Sequence, residues 1–279
     1  ERNATTLSVT TTARLYPGQL LYLVMRDPEC ATELMAPYDP DHWEYLRWDK
    51  PNESNFVRQL VTIKSISGNT VELYEPLQWP FRAQWDAVLA AFPYIENVGI
   101  EDIGLESSTG LLAAGTKDGS GRYYVQCQNK GLIMAGVRNG WVRNVRFFNF
   151  RGAAVVSFLK TLTLRAYWHD YDFSYTCYRA NYRIQRPHNA FNLGFTSSNC
   201  LMENCEVRKP NDHGYTVIRH CSGNVFYNCA LNPETDLDIH AQAPVANLFD
   251  NIQQGRHKGS GGNSGTRPSH GPGLVMWNF

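Results

Sequence analysis

The chain has 279 residues, 43% of them hydrophobic, which is enough to bury a sizeable core in one elongated domain. Lys and Arg together number 26 and so do Asp and Glu, so bulk charge points to neither nucleic acid nor an anionic membrane as a partner. There is no run of about 18 apolar residues, so no segment reads as a transmembrane helix.

The chain opens at Glu1 with neither Met nor a signal peptide, as a mature secreted product or a trimmed fragment does. Two Asn-X-Ser/Thr sequons, at Asn3 and Asn52, lie in polar segments where a glycan would be exposed, in keeping with an extracellular setting. The first strand pattern, Thr5 to Thr12, alternates but has almost no apolar face, so it needs a neighbour. A turn at Tyr16-Pro17-Gly18-Gln19 leads into the apolar strand Leu20 to Met25. From Arg26 to Asn55 the chain is rich in Pro, Asp and aromatics without a usable period and reads as a long loop. Strands return between Phe56 and Leu77, and Trp85 to Phe92, bounded by Pro80 and Pro93, is the one expected helix.

After that helix one line recurs. Cys200 to Val207 reads Cys-Leu-Met-Glu-Asn-Cys-Glu-Val, and Asn224 to Leu231 reads Asn-Val-Phe-Tyr-Asn-Cys-Ala-Leu. Asn247 to Ile252 reads Asn-Leu-Phe-Asp-Asn-Ile, so the second Asn of the line falls at 204, 228 and 251, in steps of 24 and 23 residues. Trp141 to Phe147 fits with Asn144 in that slot, Leu162 to Tyr167 fits with Ala166, and Tyr94 to Glu106 fits with Asp102. A period of about 20–25 residues built on short strands is what a parallel β-helix requires. Coils then stack about 4.8 Å apart, and an Asn at each turn bonds along its column while tolerating a left-handed backbone. The expected fold is all-β, a right-handed parallel β-helix with long loops and at most one short helix. Residues 1–60 form amino-terminal strands and an aromatic-rich loop, and residues 61–279 form the helix.

The lines at Asn97 to Ile103, Asn224 to Cys229 and Asn247 to Asn251 resemble secreted right-handed parallel β-helix proteins of the pectate-lyase-like superfamily. The resemblance implies the fold and a polysaccharide partner. It covers coils and not catalytic signatures. Pectate lyases carry Trp-Ile-Asp-His and Arg-X-Pro-X-X-Arg stretches, to which Leu237-Asp238-Ile239-His240 and Arg186-Pro187-His188 are incomplete matches, and polygalacturonase-like hydrolases are echoed only at Asp212-His213-Gly214.

The segments Thr109 to Gly121 and Tyr167 to Asn192 are too long for plain turns and read as projecting loops. The tail from Gly255 to Gly273 is Gly-, Ser-, His- and Pro-rich, yet it ends in Leu274 to Phe279, one more strand, so it reads as a loop that returns. Uncapped strands at both ends suggest self-association into a filament, with the amino-terminal strand donated to a neighbouring copy. That gives a non-catalytic structural reading beside the enzymatic one.

Seven Cys permit up to three disulfides. Cys200 with Cys221 is the expected pair, because both precede a strand near a turn, whereas Cys205 and Cys229 share one slot of successive coils and read as a buried stack.

Six of the eight His lie between residues 188 and 270, and this clustering marks the later coils as the functional region. Asp212 and Asp236 each fall eight residues after their coil's Asn, so in a continuous register the carboxylates stack about 5 Å apart and invite Ca²⁺. A lyase would use a cation or Arg to neutralise a uronate and Arg219, His220 or His240 as the base. A glycoside hydrolase would pair Asp212 with Asp236 or Asp238. Trp168, His213, His257 and His270 are the candidates for binding sugar, Trp168 by stacking from a projecting loop.

Overall fold

The computed structural model describes residues 1–27, 29–37, 57–106, 131–148, 155–158, 162–170, 177–179, 182–184, 189–194, 196–211, 213–218, 220–240, 243–257 and 269–279. An antiparallel sheet comes first. Its strands are β1 (Thr6–Ser8), β2 (Leu20–Met25), β3 (Val57–Ser67), β4 (Thr70–Leu73) and β5 (Ala87–Ala90), in the order β1-β4-β3-β2-β5. The Thr-rich strand β1 finds a neighbour within its own chain, with Thr6 opposite Glu72 and Ser8 opposite Thr70, and is the outer strand of that sheet. β3 runs through the boundary expected at residue 60, and parallel pairing begins only at Ile95.

Two local expectations change. Trp85 to Phe92 is not a helix: a 3-10 turn at Ala83–Trp85 ends on Asp86 at φ 49, and β5 follows. Met25 pairs with Ala87 and Leu23 with Leu89, so sheet pairing overrides the helix-forming Ala and Leu. The α-helix, α1, is instead Glu29–Met35, inside the segment expected to be a loop. Asp27 Oδ1 accepts the Glu29 N–H at 2.9 Å, a capping bond for its first turn.

The parallel strands are β6 (Ile95–Glu96), β7 (Gly99–Glu106), β8 (Leu132–Ala135), β9 (Val137–Arg138), β10 (Gly140–Phe148), β11 (Val155–Phe158) and β12 (Leu162–Asp170). A hairpin of β13 (Cys177–Arg179) and β14 (Tyr182–Ile184) lies between β12 and β15 (Asn189–Gly194) in the chain. Then come β16 (Leu201–Val207), β17 (His213–Val217), β18 (Val225–Leu231), β19 (Asp236–Ile239), β20 (Leu248–Gln253), β21 (Arg256–His257) and β22 (Val275–Trp277).

Alternate strands build two parallel sheets, β22-β20-β18-β16-β12-β10-β7 and β21-β19-β17-β15-β11-β8. Crossovers between parallel strands of one sheet are right-handed, which gives a right-handed parallel β-helix. A third side is marked by the bridges Ser198–Ser222 and Ser222–Val245. The tail returns as expected, with β22 pairing in parallel with β20.

Register follows the repeated line. Val142 sits between Ile100 and Leu164, and Met202, Phe226 and Phe249 follow on successive coils. Alternate residues enter the core, where Phe226 and Phe249 stack at 4.5 Å and Tyr215 adjoins Phe191 and Phe226. Asp102, Asn144, Asn204, Asn228 and Asn251 all have φ between 49 and 57. Their amides run along the column, Asn144 Nδ2 to Asp102 at 2.8 Å, Asn228 Nδ2 to Asn204 at 2.5 Å and Asn251 Nδ2 to Asn228 at 2.9 Å. A second, buried ladder joins Asn224 Nδ2 to Asn247 Oδ1 at 2.9 Å.

The antiparallel sheet is fastened to the coils by a core of Met25, Cys30, Val57, Trp79, Trp85, Ala243 and Val245. Arg138 Nη1 adds a bond to the Gly18 carbonyl at 2.8 Å.

The Cys200–Cys221 disulfide does not form. Both are buried thiols in no disulfide, as are Cys205 and Cys229. Backbone carbonyls occupy the sulfurs: Cys221 Sγ donates to Ile218 at 2.7 Å and to Leu193 at 3.0 Å, and Cys200 Sγ to Ser198 at 3.6 Å. Burial pushes the Cys221 thiol up to about 12. Asn3 is exposed at φ 67, and Asn52 lies outside the described residues.

Candidate functional site

The titratable groups converge on the second parallel sheet. In β19, Leu237 and Ile239 join the core, so strand alternation sends Asp236 and Asp238 to the opposite face and His240 after them. In β17, Tyr215 and Val217 join the core.

The register between these strands slips. His213 lies opposite Asp236, whereas Thr216 lies opposite Asp238, so three steps of β17 span two of β19. That is a bulge, and it re-aims the residue beside it. Gly214 occupies the irregularity, where an added Cβ would come within 2.2 Å of Leu231 Cδ2 and 2.9 Å of Thr235 Cγ2.

The outcome is a three-residue cluster. His240 Nδ1 lies 2.9 and 3.2 Å from the two Asp238 oxygens, and His213 Nδ1 lies 3.8 Å from Asp238 Oδ2. The two imidazoles are 5.9 Å apart, near perpendicular at 72°. Asp238 is 1% exposed, whereas the His213 and His240 side chains are 22% and 29% exposed. Hydrogen bonding to Asp238 raises the His240 pKa above its ordinary 6.5, against the opposing pull of partial burial.

Polar groups surround this cluster. Asn192, Thr216 and Asp238 occupy one register column over three successive coils. Asn192 Oδ1 and Thr216 Oγ1 are buried with no hydrogen-bond partner among the described residues, as are both amide atoms of Asn211. Buried polar atoms are ordinarily paired. Asp236 is held by Arg256, whose Nε lies 3.0 Å from Oδ1 and whose Nη2 donates to the Glu234 carbonyl at 2.6 Å.

Asp236, the described member of the carboxylate column expected with Asp212, takes its place in this arrangement. Asp236 lies opposite His213 on one side and Arg256 on the other in register. Asp212 and Arg219 themselves lie outside the described residues. Of the other sequence candidates, His220 is half-buried at φ 53 in the turn after β17, and His257 is exposed on β21 opposite Leu237. His270 is exposed beside Gly271, 3.4 Å from its carbonyl. The backbone of Trp168 lies in β12, between Arg146 and Glu206 on the first parallel sheet, and not in a projecting loop. Thr216 and Asn192 escaped sequence reasoning, since only the register reveals their column; Asp238-Ile239-His240 carried its signal openly, as an i, i+2 pair on one strand face.

A family model described as "Domain of unknown function (DUF4955)" matches residues 210–279, the segment that contains the cluster. No curated protein matches the chain. Among solved structures, the tailspike protein gp49 from Pseudomonas phage LKA1 is 13% identical with a TM-score of 0.45, covering 92% of this chain and 44% of its own. The Gp54 tailspike of Acinetobacter baumannii bacteriophage AP22, in complex with A. baumannii capsular saccharide, is 11% identical with a TM-score of 0.32, covering 99% and 54%. The chain thus spans about half the length of these two solved structures.

Proposed function

We propose that the protein is an extracellular polysaccharide-processing β-helix that cleaves a uronate-containing chain by elimination on the outer face of β17, β19 and β21. The observation that carries the reading is the Asp238–His240 pair. A carboxylate that is 1% exposed needs a partner, and a purely structural pair is best made with a permanent cation such as Arg. Here the partner is an imidazole in contact with solvent, the side chain suited to moving a proton near neutral pH.

In that role Asp238 fixes the orientation of His240 through Nδ1, and the far nitrogen faces the reaction as the base. His240 takes the proton from C5 of the uronate. The C5–H electron pair forms the C4–C5 double bond, the C4–O bond breaks, and the leaving oxygen takes a proton from water. Negative charge gathers on the uronate carboxylate, and Arg256, 48% exposed on the same face, is the residue placed to offset it. Asp236, already bound to Arg256, acts here as an anchor and not as one of two hydrolytic carboxylates.

The test is incubation of the full chain with a panel of uronate polymers, following absorbance of the unsaturated product. Wild type is expected to generate it and His240→Ala to lose at least about 100-fold of the rate, the scale of general base catalysis. Release of reducing ends without the chromophore would replace elimination by hydrolysis. Binding and cleavage of none of the polymers would overturn the reading.

A further inference from the structure

We propose that His213, Asp238 and His240 form a binding site for a borderline divalent transition metal, with Zn²⁺ as its probe. One ligand atom from each residue lies within 4.8 Å of the others, and the Asp238 Oδ2 distances to His240 Nδ1 and His213 Nδ1 are 2.9 and 3.8 Å. Two ligands each about 2.1 Å from a tetrahedral ion stand about 3.4 Å apart. The two separations from Asp238 bracket that value, and the pair of imidazole ligand atoms lies within 4.8 Å. The ion takes the place of the proton between His240 and Asp238; the far nitrogen of a metal-bound imidazole keeps its proton, so His240 serves as the base of the proposed elimination only in the metal-free chain.

The donor set selects the ion. Two imidazoles and one carboxylate suit Zn²⁺ and its neighbours, whereas Ca²⁺, expected from an all-carboxylate column, takes six to eight oxygens. The ligands come from two adjacent coils, and the bulge at Gly214 brings the third of them within reach. Three protein ligands leave a coordination position open, as catalytic sites do, and the exposure of both imidazoles lets solvent or a ligand reach it. Thr216 Oγ1, buried and without a partner among the described residues, sits opposite Asp238 in register and is a hydrogen-bonding group for whatever fills that position.

Zn²⁺ is titrated into chelator-treated full chain by calorimetry, and Co²⁺ is then used for its visible absorption. One ion per chain is expected, and His213→Ala is expected to weaken it by more than about 100-fold, since loss of an outer-shell partner already costs 10–100-fold. His213 is partly exposed, so its variant folds even where Asp238→Asn does not. The double variant His257→Ala, His270→Ala keeps wild-type affinity. Equal affinity in wild type and His213→Ala, or no binding by wild type, overturns the proposal. Polysaccharide cleavage by the chelator-treated chain is measured separately, so failure of the metal site leaves the elimination reading standing, and the reverse.

Discussion

The two asparagine ladders make opposite demands on their residues, and Asn224→Ala tests the buried one. Asn224 is fully buried; its Oδ1 accepts the Cys200 N–H at 3.0 Å, and its Nδ2 donates to the Ser197 carbonyl at 3.0 Å and to Asn247 Oδ1 at 2.9 Å. Alanine removes all three bonds. The Ser197 carbonyl retains the Ser222 N–H at 3.1 Å and Asn247 Oδ1 retains the Asn224 N–H at 3.2 Å, but Cys200 N–H loses this acceptor. A buried donor deprived of its acceptor costs about 1–3 kcal/mol and each of the two lost bonds about 1, so the variant is destabilised by about 3–5 kcal/mol. Asn228→Gly is the control. Glycine accepts φ 51 and removes only solvent-accessible amide bonds to Asn204 and Asn251, so it costs about 1–2 kcal/mol. Denaturant unfolding followed by Trp fluorescence reads both, provided the slope is unchanged. Equal destabilisation of the two variants, or a loss below about 1 kcal/mol for Asn224→Ala, would refute the assignment of coil cohesion to the buried ladder.

Three further outcomes follow from the geometry. Asp238 raises the folded-state pKa of His240 above 6.5; its stabilising contribution is therefore complete below the unfolded value and lost as pH rises through the folded one. In chelator-treated protein, the thermal midpoint difference between wild type and His240→Gln should shrink on going up through that window; a difference that grows with pH contradicts the pair. Cys221, held near 12, and its neighbour Cys200 should resist alkylation in native protein at pH about 8 and label fully after denaturation without reductant. Masking that reductant alone reverses would restore the disulfide. Gly214→Ala should destabilise by about 1–3 kcal/mol through overpacking against Leu231 and Thr235 and should abolish Zn²⁺ binding by moving His213; unchanged affinity would dissociate the bulge from the site.

The coil register was legible because the column residues announce themselves twice, by spacing and by chemistry. Asn204, Asn228 and Asn251 recur at the coil length and are residue types that accept a positive φ, and even the weak members Asp102 and Ala166 fall in the slot assigned to them. The site was legible only as a region. Counting forward from Asn204 and Asn228 assumes a constant path, but the pairing offset falls from 24 at Val207–Leu231 to 23 at His213–Asp236, and to 22 at Thr216–Asp238 across the bulge at Gly214. Nothing local marks such a bulge except a Gly, and glycines are common in this chain. The strand at Ala87–Ala90 was hidden for a different reason: its partner, Leu20–Met25, is more than 60 residues away in sequence, and pairing decides between two conformations that its residues permit equally.

The most direct measurement is mass analysis of oligosaccharides released from a uronate polymer by wild-type protein and by His240→Ala. The elimination account predicts non-reducing ends lighter by one water than those of hydrolysis, formed by wild type and not by the variant. Fully hydrated ends, or a polymer left intact by the wild-type protein, would contradict it.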